Sequence, residues 1–411
     1  MLTQKGKIVF FVIILMVAGI ISALFLQSSP DIAERPLSEE HQEENGVFVP
    51  TGDALSRLSG DISSFGIGVD KVAGSVYFSP DSRFALFQGE SNPVEGQLEK
   101  GSYVVLVDIS KGVMKKIYDG SLVGKPSWSS NFVVFSSDGV YIYNLKDDAL
   151  NVVSSFGSHP VISPDSLFVA YKNTNEGGVF VYSVESRNSS ILTDDTSDTP
   201  AVWLKVPTDL LIFKSDGTDL GEGAGERQFV ARVDTVTKSI KEYTSVSRGR
   251  FFNAVTLGDE SVLVSGGFDD GRSDYVKKKK NDTAVTLHKN VSVSEVLIDV
   301  FSRNVFVYSQ NTVTPYNKKK KKMTPLTLQN PPDVDMVKET PLGFNVNEKS
   351  VWLSGVSGKP LRSTIRQWNF LTGEFVKEDV SEDGVVTFFS ETSLYAVPSE
   401  DGASVQFTIL N

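Results

Sequence analysis

Two lysine runs are the most chemically pronounced feature of this chain: Lys277, Lys278, Lys279 and Lys280, then Lys318, Lys319, Lys320, Lys321 and Lys322. The runs start 41 residues apart, at 277 and 318. Clustered ammonium groups attract polyanions and lipid headgroups, and that attraction weakens with salt. The same lysines also serve as solvated hairpin tips that discourage sheet edges from pairing. A second set of candidates is acidic: Asp216, Asp219, Glu222 and Glu226 on a Gly-rich stretch, and Asp269, Asp270 and Asp274 further on. Clustered oxygen ligands suit calcium, but neither stretch has EF-hand spacing, and acidic hairpin loops look alike without metal. Of the three histidines, His41, His159 and His288, none has metal-site spacing, and the sequence reads His159 as part of a turn between repeats. There is no cysteine and no Gly-x-Ser-x-Gly elbow, so no catalytic residue, metal site or cofactor is assigned.

The formal net charge of −11 argues against nucleic-acid binding, for which a basic surface is the expected footprint. At 411 residues the chain exceeds one conventional core, so several domains or a repeat array are expected. Residues 8–26 (IVFFVIILMVAGIISALFL) are apolar and uncharged, with Lys5 and Lys7 before them and an acidic segment after. A helix of that length reaches about 28 Å at ~1.5 Å per residue, enough to cross a bilayer. The lysine bias places the N-terminus inside and the remainder outside, as a periplasmic or cell-surface domain. A cleaved signal peptide is the rival reading; the long apolar run and the poor cleavage site at "ALFLQSS" favour an uncleaved anchor. Residues 27–50 are acidic and punctuated by Pro30, Pro36 and Pro50, the composition of a flexible stalk.

After residue 70 the period changes to that of short strands. Residues 125–157 (KPSWSSNFVVFSSDGVYIYNLKDDALNVVSSFG) divide into strands at 126–129, 132–136, 140–145 and 150–155, joined by turn residues such as Asp138-Gly139. The same sentence recurs near 75–118, 160–195, 200–245, 252–290, 293–330 and 333–380, and incompletely at 384–411. Four-stranded units at this period predict an all-β fold, a β-propeller of about eight blades with seven as the alternative, spanning 51–411. The last unit shows three strands, and residues 54–68 (ALSRLSGDISSFGIG) are placed to supply the fourth and close the ring. Both lysine runs then fall between third and fourth strands, on one rim.

"FSPDSRFALF" (78–87) and "ISPDSLFVAY" (162–171), with "PSWSSNFVVFSSDGVYIY" between them, resemble the TolB-like propeller repeat, a relative of WD-type propellers, over roughly residues 75–215. The resemblance implies the fold and a tendency to bind partners; it carries no functional residue. Ser82 and Ser166 stand where the repeat usually has Gly, and Asp81 and Asp165 are expected to brace the turn between first and second strands. The expected function is therefore a membrane-anchored, extracytoplasmic, non-catalytic binding or scaffold domain. Its partner would be a protein or an anionic envelope polymer, with the nine lysines as the candidate contact. An enzyme with a hydrolase- or lyase-type site in the central channel is the alternative. The first strands, "VYF", "PSW", "PVI" and "AVW", read as apolar and aromatic rather than catalytic.

Overall fold

The computed structural model describes residues 43–44, 47–48, 50–93, 101–204, 206–219 and 226–243 and, beyond 243, the strands named below with Thr372, Ser399 and 401–403. The apolar run at 8–26 and most of the expected stalk lie outside the described residues. Among the described residues no helix is long and apolar enough to cross a membrane. Within the expected stalk, Glu43–Glu44 pairs antiparallel with Val47–Phe48, so its last part is a short hairpin.

The strands fall into antiparallel units in chain order. The first comprises Lys71–Phe78, Phe84–Glu90, Ser102–Asp108 and Val113–Asp119. The second comprises Val123–Trp128, Phe132–Ser136, Val140–Asn144 and Ala149–Ser154. The third comprises Gly157–Ile162, Phe168–Asn173, Val179–Ser183 and Ser189–Ile191. The fourth comprises Thr199–Trp203, Asp209–Asp219, Glu226–Asp234 and Ile240–Glu242. The fifth comprises Gly249–Thr256, Val262–Phe268, Ser273–Lys278 and Ala284–Lys289, and joins the fourth through the single pair Gln228–Gly249. Then come Val296–Ile298, Val305–Ser309 and Thr312–Asn317, the last paired with both Lys322–Met323 and Leu326–Thr327. Met336–Asn345, Ser350–Ser357, Arg362–Asn369 and Glu374–Ser381 follow. The final unit is Thr387–Phe389, Leu394–Pro398 and Ser404–Ile409.

Alternation explains why the middle strands read as unbroken apolar runs. In Phe132–Ser136, Val133 and Phe135 pack with Leu86, Val104 and Leu106 of the first unit, while Val134 packs with Val169 and Tyr171 of the third. In Asp209–Asp219, Leu210 and Ile212 face the third unit and Leu211 and Phe213 face the fifth. Successive strand side chains point to opposite faces, so each sheet is a wall between two cores and both faces must be apolar. First strands also touch one another: those of the second, third, fourth and fifth units pack in sequence, and the final unit's first strand packs on that of the first unit. Sheets stacked face to face around a ring of first strands make a β-propeller.

The ends of the described chain meet as expected, by a partly different route. Gly60–Asp61 pairs with Ser404 and Val405 as the outermost strand of the final unit. That strand has only two residues; around it, Gly52–Leu58 is a helix (α1) and Ile62–Phe65 a 3-10 turn, where the sequence suggested one longer strand. Thr51 caps α1, its Oγ1 accepting from the Ala54 N–H at 3.2 Å. Leu55, Leu58 and Ile62 are buried beside Val405 and Phe407 of the final unit and Val105 and Val107 of the first.

Candidate binding site on the rim where the first strands begin

The Ser-Pro-Asp-Ser turns sit between first and second strands as expected. Ser79 Oγ donates to Asp81 Oδ1 at 2.6 Å, and the same carboxylate oxygen accepts from the Arg83 N–H. Ser163 and Asp165 repeat the arrangement at 2.6 Å, with the Leu167 N–H as the second donor. The carboxylates therefore serve the turn. Ser82 and Ser166 adopt φ of 59° and 66°, the left-handed region that explains the repeat's usual Gly. A third copy, Ser399-Glu400-Asp401-Gly402, has the same hydrogen bonds and a Gly at the left-handed position.

Lys277 and Lys278 come to this same rim by topology, because third strands run parallel to first strands and end where first strands end. Lys277 and Lys278 close the third strand of the fifth unit, and Lys322 opens a two-residue strand. Lys279, Lys280, Lys318, Lys319, Lys320 and Lys321 lie outside the described residues. Of the acidic candidates, Asp216 is ion-paired with Arg227 Nε at 2.7 Å and Glu226 accepts from Ser215 Oγ. Glu222, Asp269 and Asp270 lie outside the described residues. Among the described residues no three His, Asp or Glu side chains are grouped to hold a metal.

The opposite rim holds features that the sequence did not single out. Each first strand of the first five units carries a register shift midway, between Ala73 and Tyr77, Val123 and Ser127, Ser158 and Val161, Pro200 and Val202, and Phe251 and Asn253. Such bulges bend a strand and re-aim its side chains. Two are built on left-handed glycines, Gly74 at 79° and Gly124 at 71°, whereas the third is built on His159 at 53°. His159 is thus in a first strand, not in a turn between units. A non-Gly residue in this region is strained by ~1–3 kcal/mol, an arrangement that recurs at functional sites.

Beside His159 lies an open cavity of about 380 Å³, shared by the third, fourth and fifth units. Its apolar wall includes Pro200, Ala201 and Ala254, with Phe213 and Phe251 stacked at 5.5 Å between centroids. Its polar lining is Thr199, Gln228, Arg250 and His159. Gln228 Oε1 accepts from the Phe251 N–H at 3.1 Å, which fixes the amide and leaves its NH2 as a donor. His159 Nδ1 sits 3.0 Å from Ser158 Oγ. Partial desolvation, and then the charge of Lys172, hold the imidazole pKa below its ordinary value. Asp198, next to Thr199 in sequence, is engaged elsewhere: Lys214 Nζ lies 3.0 Å from Asp198 and 3.7 Å from Asp195. Among the described residues no carboxylate pairs with Arg250, and none lines the cavity. The arrangement can accept an anionic group beside an apolar one. In sequence, the only trace was a basic or imidazole residue directly before two of the apolar triplets, Lys125 before "PSW" and His159 before "PVI", which composition alone does not separate from a solvated surface.

No family model matches this chain, and no curated protein matches it. Solved structures do. A dipeptidyl peptidase 4 from Porphyromonas gingivalis is 11% identical with a TM-score of 0.57, covering 81% of this chain and 57% of that one. The Dos1 propeller is 12% identical with a TM-score of 0.52, covering 83% of this chain and 92% of that one. TolB from Acinetobacter baumannii is 12% identical with a TM-score of 0.40, covering 61% of this chain and 62% of that one. The chain thus spans less than two thirds of the length of the peptidase and of TolB. The first two likenesses show the fold alone, and that fold is the β-propeller.

Proposed function

We propose that this propeller is a non-catalytic binding module that recognises a protein partner through the rim where its first strands begin. It stands outside the membrane on the anchor formed by residues 8–26, and its strand units close as eight blades. The observation that carries the reading is the open cavity shared by three adjacent units. Its polar lining is made of donors and its wall of stacked aromatic and small apolar residues, the mixture typical of recognition pockets. Rigid sheets fix its shape, because each is held between two cores. The nine lysines offer a second and more salt-sensitive contact with an anionic envelope polymer.

The test is binding of the full chain, in detergent, to isolated envelope fractions over a salt series. Wild type is run beside Arg250→Gln and beside a variant with Ser at all nine lysines. Loss in Arg250→Gln with retention in the lysine variant is the expected result. The reverse pattern moves the site to the lysine rim, and indifference to both sets of changes overturns the proposal.

A further inference from the structure

Resting on that reading of the rim, we infer that the cavity takes the chain-terminal carboxylate of a partner protein whose last residue is aromatic or large and aliphatic. Charge argues first. On a chain of net charge −11, this cavity is lined by the Arg250 guanidinium and by no carboxylate among the described residues, with His159, its pKa held below the ordinary value, as an uncharged polar group beside it. A focused positive patch on an acidic surface selects for anions and keeps them out of the surroundings. A planar guanidinium matches a carboxylate in particular, since it offers paired donors in the same plane. Asp198, which precedes the lining residue Thr199, and Asp195 are paired with Lys214.

Shape argues next. A phosphate or sulfate has no use for the rest of the lining, where Phe213 and Phe251 stack and Pro200, Ala201 and Ala254 complete an apolar wall. The occupant must carry its anion and its apolar group close together, because about 380 Å³ lies near the lower end of ligand pockets, which span roughly 300–1,000 Å³. A C-terminal residue does this from one Cα: the carboxylate leaves on one bond and the side chain on another. An internal Asp or Glu does not, as its anion and the nearest apolar side chain belong to different residues. Gln228, its oxygen tied to the Phe251 N–H, presents a fixed donor suited to a carboxylate or to the last peptide carbonyl. The left-handed backbone at His159 is accounted for as well. Gly holds the corresponding bulge at 74 and 124 without strain, and His at 159 exchanges that ease for a donor at the cavity.

The experiment uses fluorescein-labelled Gly-Gly-Phe with a free carboxylate, the same peptide as its C-terminal amide, and amidated Gly-Glu-Phe, each titrated by anisotropy with the full chain. The free acid is expected to bind at least about tenfold more tightly than either amide, the scale of one lost charged hydrogen bond. Arg250→Gln should weaken the acid by a similar factor and leave Tm unchanged, since Arg250 is exposed. His159→Gly, which keeps the left-handed backbone, should weaken the acid without lowering Tm. Equal binding of acid and amide, equal binding of the internal Glu peptide, or no binding of any peptide overturns the terminal-carboxylate assignment. If the peptides fail while Arg250→Gln still abolishes envelope binding, the ligand class is wrong and the rim reading stands. If Arg250→Gln leaves envelope binding intact as well, both fall.

Discussion

A single carboxylate oxygen organises each Ser-Pro-Asp-Ser turn, taking one hydroxyl and one backbone donor at once. Replacing Asp165 with Ala leaves the Ser163 hydroxyl and the Leu167 N–H without that acceptor. The expected cost is about 1–2 kcal/mol, read from urea midpoints. Asp81→Ala should add its own similar cost, because the two turns belong to different sheets and share no partner; marked non-additivity would refute independent turns. These residues were legible because a turn writes its chemistry locally, in side chains that bond backbone two residues away. His159 and Arg250 were not. Their roles depend on bulges, which need no signature residue, and on a neighbouring sheet that brings Phe213 and Phe251 alongside.

Between sheets the contacts are mostly apolar, but a polar clasp, with the Lys115–Asp148 ion pair, joins the first and second units. Tyr118, in the fourth strand of the first, and Tyr141, in the third strand of the second, place their hydroxyls 2.5 and 2.7 Å from Asp138 Oδ1 and 2.6 Å from each other. The two phenols hold the Asp138 carboxyl below its ordinary pKa, while burial and then this hydrogen bonding raise that of Tyr141. A carboxylate whose pKa falls on folding adds stability that is complete above its unfolded value, near ~3.9, and disappears as pH drops through the folded value. Wild type should therefore be more stable than Asp138→Asn at pH 7, with the gap closing on acidification. A gap that persists unchanged to low pH would show that the charge is not responsible. At this scale the four-strand sentence was readable because both the turns and the apolar runs are short-range signals. Helix α1 was not: seven residues carrying Leu55 and Leu58 look much like half a strand, and the choice is made by the distant residues they pack against.

The whole ring depends on joining residues far apart in sequence. Besides the pairing of Gly60–Asp61 with the final unit, Ser59 Oγ accepts from the Phe407 N–H at 2.9 Å, and the Ile62 N–H donates to Ala403 at 2.9 Å. Leu58 is fully buried at this join. Leu58→Ala should cost ~2–5 kcal/mol, as other buried leucine truncations do. It should also speed proteolysis near both ends before the middle units are cut. Uniform cleavage along the chain would instead mean that the join adds nothing local. That the ends meet was inferable from a unit one strand short. The partner's brevity was not, because two residues carry no periodicity.

That join also sets a clock on biosynthesis. Asp61 leaves the ribosome 343 positions before its partner Ser404, so the partners of Gly60 and Asp61 do not yet exist when they emerge. At roughly 5–20 residues per second the delay is on the order of 20–70 s. Throughout it Leu55, Leu58 and Ile62 stay without the half of their cover that the final unit supplies. The nascent chain therefore spends most of its synthesis with a sticky leading end, and a chaperone that shields that end should matter more to its yield than one acting after release.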